Sequence, residues 1–171
     1  MSKRDLKKYI SSLNKKQLEE QIIELYDKFL PVKTYYDFVF NPKEDKLLEE
    51  CKIKISNEYF PTRGKKAKAR RSVAQKYIKH FISLGVDCYI IADVMLYNIE
   101  IAQSYSSEKV IKQELFYKSM FNSYEQTVSY LIQNGILNDF KGRLESINEE
   151  VIKQNWLNSY DFNAVLERLQ Y

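Results

Sequence analysis

Leu84-Gly85-Val86-Asp87-Cys88-Tyr89-Ile90-Ile91-Ala92-Asp93-Val94-Met95-Leu96-Tyr97-Asn98-Ile99-Glu100-Ile101-Ala102 is the most apolar run of the chain, and its reading decides the fold. Gly85 suits the left-handed end of one helix, and Asp87 suits the N-cap of the next. From Asp87 to about Ser104, apolar side chains point in nearly every direction around a helical axis, so this helix is expected to be buried on most of its circumference. Two acids interrupt it. Asp93 and Glu100 stand seven residues apart, which places them about 20° apart on one helical face with Tyr97 between them. The other helices are expected to pack around this one, and its acidic stripe to face a cation.

Outward from that stretch, the composition agrees with helices. The 171 residues contain only four Gly and three Pro, too few for a many-turned β protein, while Lys, Glu, Leu and Ile are abundant. The length is ample for a real core. The expectation is one all-α domain over 1–171 with a basic loop at 61–71. Its form would be an irregular bundle of about eight or nine helices stacked as hairpins, with a short HEAT-like array as a variant. Fourteen Tyr and nine Phe read first as packing residues that bury the ring and keep the hydroxyl wet, with stacking on bases as the rarer use.

Upstream, Ser2 is placed to cap a first helix carrying Leu6, Tyr9, Ile10 and Leu13. Asn14 with Gln17 forms a capping-box pattern before Leu18, Ile22, Leu25, Tyr26 and Phe29. Val32–Phe40 reads as a helical piece, and Asn41-Pro42 opens a longer helix through Leu47, Leu48, Cys51, Ile55 and Tyr59. Ser72 is the expected cap of the helix that Gly85 closes. Downstream, Ser106 or Ser107 is expected to cap a long helix that stops at Asn134-Gly135. Leu137, Phe140, Leu144, Ile147 and Val151 then repeat at 3-4-3-4 spacing, a coiled-coil-like seam expected to be satisfied inside the fold. Ser159 is the expected cap of a last helix.

Three segments, Phe38-Val39-Phe40-Asn41-Pro42, Lys68-Ala69-Arg70-Arg71-Ser72-Val73-Ala74-Gln75-Lys76 and Ala92-Asp93-Val94-Met95-Leu96-Tyr97-Asn98-Ile99-Glu100, carry a likeness to something known. Through them the chain resembles a family of small bacterial proteins catalogued only as a domain of unknown function. The resemblance covers nearly the whole chain. It implies a helical cytoplasmic protein and supplies no activity, cofactor or catalytic residue.

Charge is concentrated. Residues 61–80 carry eight basic groups and no acid, whereas 81–171 carry seven basic and twelve acidic groups. Six of the nine residues from 63 to 71 are cations: Arg63, Lys65, Lys66, Lys68, Arg70 and Arg71. Such a block repels itself and asks for a polyanion, for acidic side chains or for solvent. Nucleic-acid phosphate is the usual external partner, and an acidic protein is the alternative. No arrangement here specifies a base sequence.

Catalytic signals are thin. His80 is the one histidine and has no Ser or Cys nucleophile near it in sequence, so a structural role is expected. Cys51 and Cys88 are far apart and in no motif. They read as reduced thiols of a cytoplasmic protein, though a disulfide between them stays open. No metal-ligand spacing, phosphate-cradling loop or dinucleotide fingerprint occurs, so no metal or cofactor is expected. Asp93 and Glu100 are candidates for an acid/base pair, because apolar surroundings raise carboxyl pKa values. The competing reading is a structural ion pair with Arg70, Arg71 or Lys76, the cations nearest in sequence.

The charged N-terminus lacks an apolar signal core, and acids near the middle of the central stretch argue against a membrane span. The reading is therefore a non-catalytic helical module that docks a polyanion, most plausibly RNA, as a monomer or weak homo-oligomer. A protein–protein adaptor using apolar helix faces is the alternative.

Overall fold

The computed structural model describes residues 2–62, 64 and 66–169. Among them are nine α-helices and no strand: α1 (Lys3–Ser12), α2 (Lys15–Lys28), α3 (Leu30–Phe40), α4 (Glu44–Tyr59), α5 (Arg71–Leu84), α6 (Cys88–Glu108), α7 (Glu114–Gln133), α8 (Leu137–Lys153) and α9 (Ser159–Arg168). The all-α expectation holds, as an irregular bundle. The chain divides into two compact units, Met1–Lys43 and Glu44–Tyr171.

The first unit holds α1–α3. Ser2 and Asp5 form a reciprocal capping box, with the Asp5 amide donating to Ser2 Oγ at 3.3 Å and the Ser2 amide donating to Asp5 Oδ2 at 2.9 Å. Asn14 and Gln17 repeat the device at 2.9 Å in both directions, satisfying donors that a helix start otherwise leaves bare. The Tyr26 hydroxyl donates to Asp37 Oδ1 at 2.7 Å and ties α2 to α3. None of the three helices contains a buried residue.

The core lies in the second unit, around α6. Ile91, Ala92, Val94, Met95, Leu96, Ile99 and Ala102 are all buried, and α4, α5, α7 and α8 pack against this helix. Its entry is the one read from sequence. Gly85 adopts φ 73°, a left-handed conformation that strains any residue with a Cβ. The Val86 amide donates to Phe81 O at 3.1 Å, and Asp87 Oδ1 accepts from the Tyr89 amide at 2.8 Å.

Three cap assignments change. α6 continues to Glu108, because the hydroxyls of Ser104, Ser106 and Ser107 donate back to carbonyls of their own helix, at 3.0, 3.1 and 2.8 Å. They are therefore not spent on capping α7, which starts after Gln113. α5 begins one residue before Ser72, with Arg70 at its N-cap position. Asn158, not Ser159, occupies the N-cap position of α9, and its side-chain Nδ2 donates to Tyr117 O at 3.1 Å.

The α8 seam is consumed internally. Phe140, Leu144, Ile147 and Val151 are buried, and α8 packs on α6, α7 and α9. The aromatic abundance is largely packing. Phe116, Tyr117, Phe121, Tyr124, Trp156 and Phe162 form one cluster with ring centroids between 4.8 and 5.9 Å apart, spacings at which edge-to-face contacts are favourable. Cys51 and Cys88 are both free. No helix among the described residues is long and apolar enough to cross a membrane.

Candidate functional site

Glu58 organises the basic segment. Its backbone carbonyl, near the end of α4, accepts from both the Lys68 and Ala69 amides at 2.9 Å. Its carboxylate takes the Arg70 guanidinium with both oxygens, Nε to Oε2 at 2.7 Å and Nη2 to Oε1 at 2.9 Å. Lys68, Ala69 and Arg70 are therefore pinned back onto α4. Ala69 takes a left-handed φ of 47° to make the turn. The Arg70 guanidinium holds the Glu58 carboxyl below its ordinary value, and the carboxylate in turn raises Arg70.

Between α4, this loop and α5 runs a groove of about 880 Å³. Helical periodicity supplies its walls. Lys54 and Glu58 are one turn apart on α4, and Val73, Lys76, Tyr77 and His80 share one face of α5. Lys66, Lys68 and Arg70 complete it from the loop. Lys54, Lys66, Lys68 and Lys76 are exposed, and Glu58 is the only acid among the described lining residues.

A second depression of about 520 Å³ adjoins the first, sharing Pro61 and Lys66 with it and adding Phe60, Tyr105 and Lys109. The Phe60 and Tyr105 rings meet edge-on at 5.9 Å, and the Lys109 ammonium sits 4.7 Å from the Tyr105 ring centroid.

The six nominated cations part ways. Lys66, Lys68 and Arg70 line the groove. Arg71 does not line it. Its guanidinium turns to α7, donating from Nε to Ser123 Oγ and from Nη2 to Gln126 Oε1, both at 2.6 Å. Burial among these neutral partners lowers its pKa. Arg63 and Lys65 lie outside the described residues. Sequence reasoning missed Lys54 and Lys76 as groove cations and Lys109 in the adjoining depression, because they stand on α4, on α5 and just past the end of α6, outside the dense block, and join it only through packing.

The acidic stripe of α6 meets cations, but not those nearest in sequence. Asp93 Oδ2 lies 2.6 Å from Lys52 Nζ, and Asp93 Oδ1 lies 2.7 Å from Arg143 Nη1. Arg143 also grips Glu100 with two nitrogens, at 2.9 and 2.8 Å. The expected partners Arg70, Arg71 and Lys76 are replaced by one cation from α4 and one from α8. Tyr97, between the two acids, lies under Lys52 with 5.2 Å from ring centroid to ammonium. Burial pushes the Asp93 carboxyl upward, but hydrogen bonds from Lys52 and Arg143 outweigh it and hold the group below its ordinary value. A general acid needs the opposite shift.

The chain matches, over residues 1–170, the model of a family of unknown function, DUF6155, and belongs to that family. Comparison with curated proteins and with solved structures brings no match.

Proposed function

We propose that this member of a family without an assigned activity is a non-catalytic module that binds single-stranded nucleic acid, RNA in the first instance. The observation that carries the reading is the junction at Pro61 and Lys66 of a cation-lined groove with an aromatic depression. Phosphates are held by exposed ammonium groups, and bases need flat rings on which to stack. A surface that offers both side by side suits a single strand whose bases are free. Lys54, Lys66, Lys68 and Lys76 supply the charge, and Tyr77 and Tyr105 supply aromatic surface. Contacts to phosphate carry no sequence information, so binding is expected to be sequence-tolerant and steeply salt-dependent.

Catalysis is the weaker reading, because the two carboxylates nominated for it are committed to Arg143 and Lys52. The adaptor reading needs exposed apolar helix faces, and the α8 seam does not offer one at Leu144 and Val151, which are fully buried.

The test is a titration of labelled mixed-sequence single-stranded RNA with the full chain and with Lys66→Ala/Lys68→Ala/Lys76→Ala, at about 50 and about 200 mM salt. Melting curves run in parallel. The wild type should bind at low salt. The variant should bind at least about tenfold more weakly, with a log–log salt slope lower by about 0.7 per lost phosphate contact. Its melting should be unchanged, because exposed charges are replaced. No wild-type binding at low salt, or equal affinity of the two proteins, would remove the proposal.

A further inference from the structure

Of the nine helices described, α1 divides polar from apolar side chains most sharply, on a segment that is polar overall. Leu6, Tyr9, Ile10 and Leu13 stand at i, i+3, i+4 and i+7, so they share one face. That face is not spent on packing. Leu6 is 49%, Tyr9 48% and Ile10 42% exposed. Within its unit α2 packs on α3, whereas α1 belongs to no such pair. Among the described residues its one side-chain link to another helix is a hydrogen bond from Gln21 to the Tyr9 hydroxyl.

The rest of α1 is cationic and unanswered. Lys3, Arg4, Lys7 and Lys8 are exposed, and none of them forms an ion pair among the described residues. Asp5, the one acid of the helix, is taken by the Ser2 amide and hydroxyl in the capping box. α2 differs. There Lys15 meets Glu19 at 3.7 Å and Lys28 meets Glu24, so only Lys16 of its cations goes unpaired. Lys3 and Arg4 also stand in the first turn of α1, at the positive end of its macrodipole, where a cation is disfavoured until an outside anion arrives.

An aliphatic stripe with unanswered cations matches a surface that is anionic outside and apolar beneath. Nucleic acid offers phosphate, but Leu6 and Ile10 give its bases no ring to stack on. A protein helix packed on the stripe would reach Lys3 and Lys7 at its edge. It would leave Arg4 and Lys8, which fall about 150–170° from the stripe's centre, facing away. Lipid headgroups surround a helix sunk to the acyl boundary and answer all four.

We infer that α1 is a peripheral membrane-binding helix that lies in the plane of an anionic lipid surface, with Leu6, Tyr9 and Ile10 turned to the acyl boundary and its four cations among the headgroup phosphates. Its ten residues rise about 15 Å, half the thickness of a hydrocarbon core, so the helix rests on the bilayer and does not cross it. The inference does not rest on the nucleic-acid reading, whose groove residues belong to the Glu44–Tyr171 unit.

The experiment measures co-sedimentation of the full chain with unilamellar vesicles at about 100 mM salt. One set is equimolar phosphatidylglycerol and phosphatidylcholine, the other phosphatidylcholine alone. The wild type should bind the anionic vesicles at least about tenfold more tightly than the neutral ones. Leu6→Gln/Ile10→Gln and Lys7→Ala/Lys8→Ala should each weaken that binding about tenfold or more. Both variants should melt as the wild type does, because α1 holds no buried residue. Lys66→Ala/Lys68→Ala/Lys76→Ala should keep its vesicle affinity, whether or not the chain binds RNA. A wild type that ignores anionic vesicles would leave the stripe to a protein partner and overturn the inference. Binding indifferent to Leu6→Gln/Ile10→Gln would be adsorption by charge alone and would overturn it too. So would vesicle binding lost in the groove variant and kept in both α1 variants.

Discussion

Arg143 reaches from α8 to clasp Asp93 at 2.7 Å, and with its other nitrogens Glu100 one heptad further along α6. Lys52 closes the arrangement from α4. Three helices that meet nowhere in sequence are thus locked around a part-buried set of two acids and two bases.

The lock should be visible in stability and in its pH dependence. Asp93→Asn leaves Lys52 and one arm of Arg143 without a carboxylate. At neutral pH it should cost about 1–3 kcal/mol, less than a fully buried pair because the site is partly wet. The folded chain holds Asp93 below its ordinary value of 3.8, so the unfolded chain binds the proton first as pH falls. The stabilisation is therefore fully present above the unfolded value and is lost as pH drops through the folded one. Urea unfolding of both proteins at neutral pH and near pH 3 checks this. The gap should narrow in acid, and a gap that widens there would contradict the assignment.

Cys51 and Cys88 should separate in a thiol assay. Cys51 is fully buried on α4, and burial pushes its thiol up to about 12. The thiolate is the reactive form. Ellman's reagent should titrate the half-buried Cys88 first and reach Cys51 at a rate that tracks unfolding. Equal rates for the two in the folded protein would show that α4 opens locally.

Leu144 tests the seam that the fold consumes. It is fully buried, so Leu144→Ala should cost about 2–5 kcal/mol by lost transfer energy and a residual cavity. The loss should appear in melting, with the oligomeric state unchanged. A shift in mass without a shift in melting would return α8 to the surface.

What the sequence made legible follows the range of the interactions. The Gly85 turn, the Asp87 cap and the Asn14–Gln17 box depend on residues within a few positions of one another, and each is where the pattern puts it. The α6 core and the α8 seam were legible because periodicity is a local signal of a buried face. The partners of Asp93 were not, since proximity in sequence favours Arg70 while topology brings Arg143. A signal did exist. Arg143 sits between Phe140 and Leu144 on the buried stripe of α8, and a charge there asks for an acid from another helix. Ser104, Ser106 and Ser107 misled for a different reason. Serine satisfies a helix start or its own helix equally well, and only the neighbouring carbonyls decide. The basic block pointed to the groove, but Lys54 and Lys76 needed the packing of α4 and α5 to join it, and Lys109 lines the adjoining depression.

Glu58 gives the sharpest test of the groove, because it predicts a gain. Its carboxylate is the one acid among the described lining residues and neutralises Arg70 from within. Its backbone carbonyl, which holds the Lys68 and Ala69 amides, is untouched by a side-chain change. Glu58→Gln should therefore keep the loop in place while freeing Arg70 for phosphate. The stability cost should stay near or below about 1 kcal/mol, since the Arg70 side chain is half exposed and solvent screens the pair. Affinity for mixed-sequence single-stranded RNA at low salt should rise about three- to tenfold, and the salt slope should steepen by about 0.7 as one more cation meets a phosphate. Arg70→Ala removes the same pair without releasing a cation and should not show the gain. The two variants are compared by anisotropy at two salt concentrations, with melting curves alongside. A Glu58→Gln protein that melts normally and binds no better than the wild type would place the polyanion elsewhere than this groove.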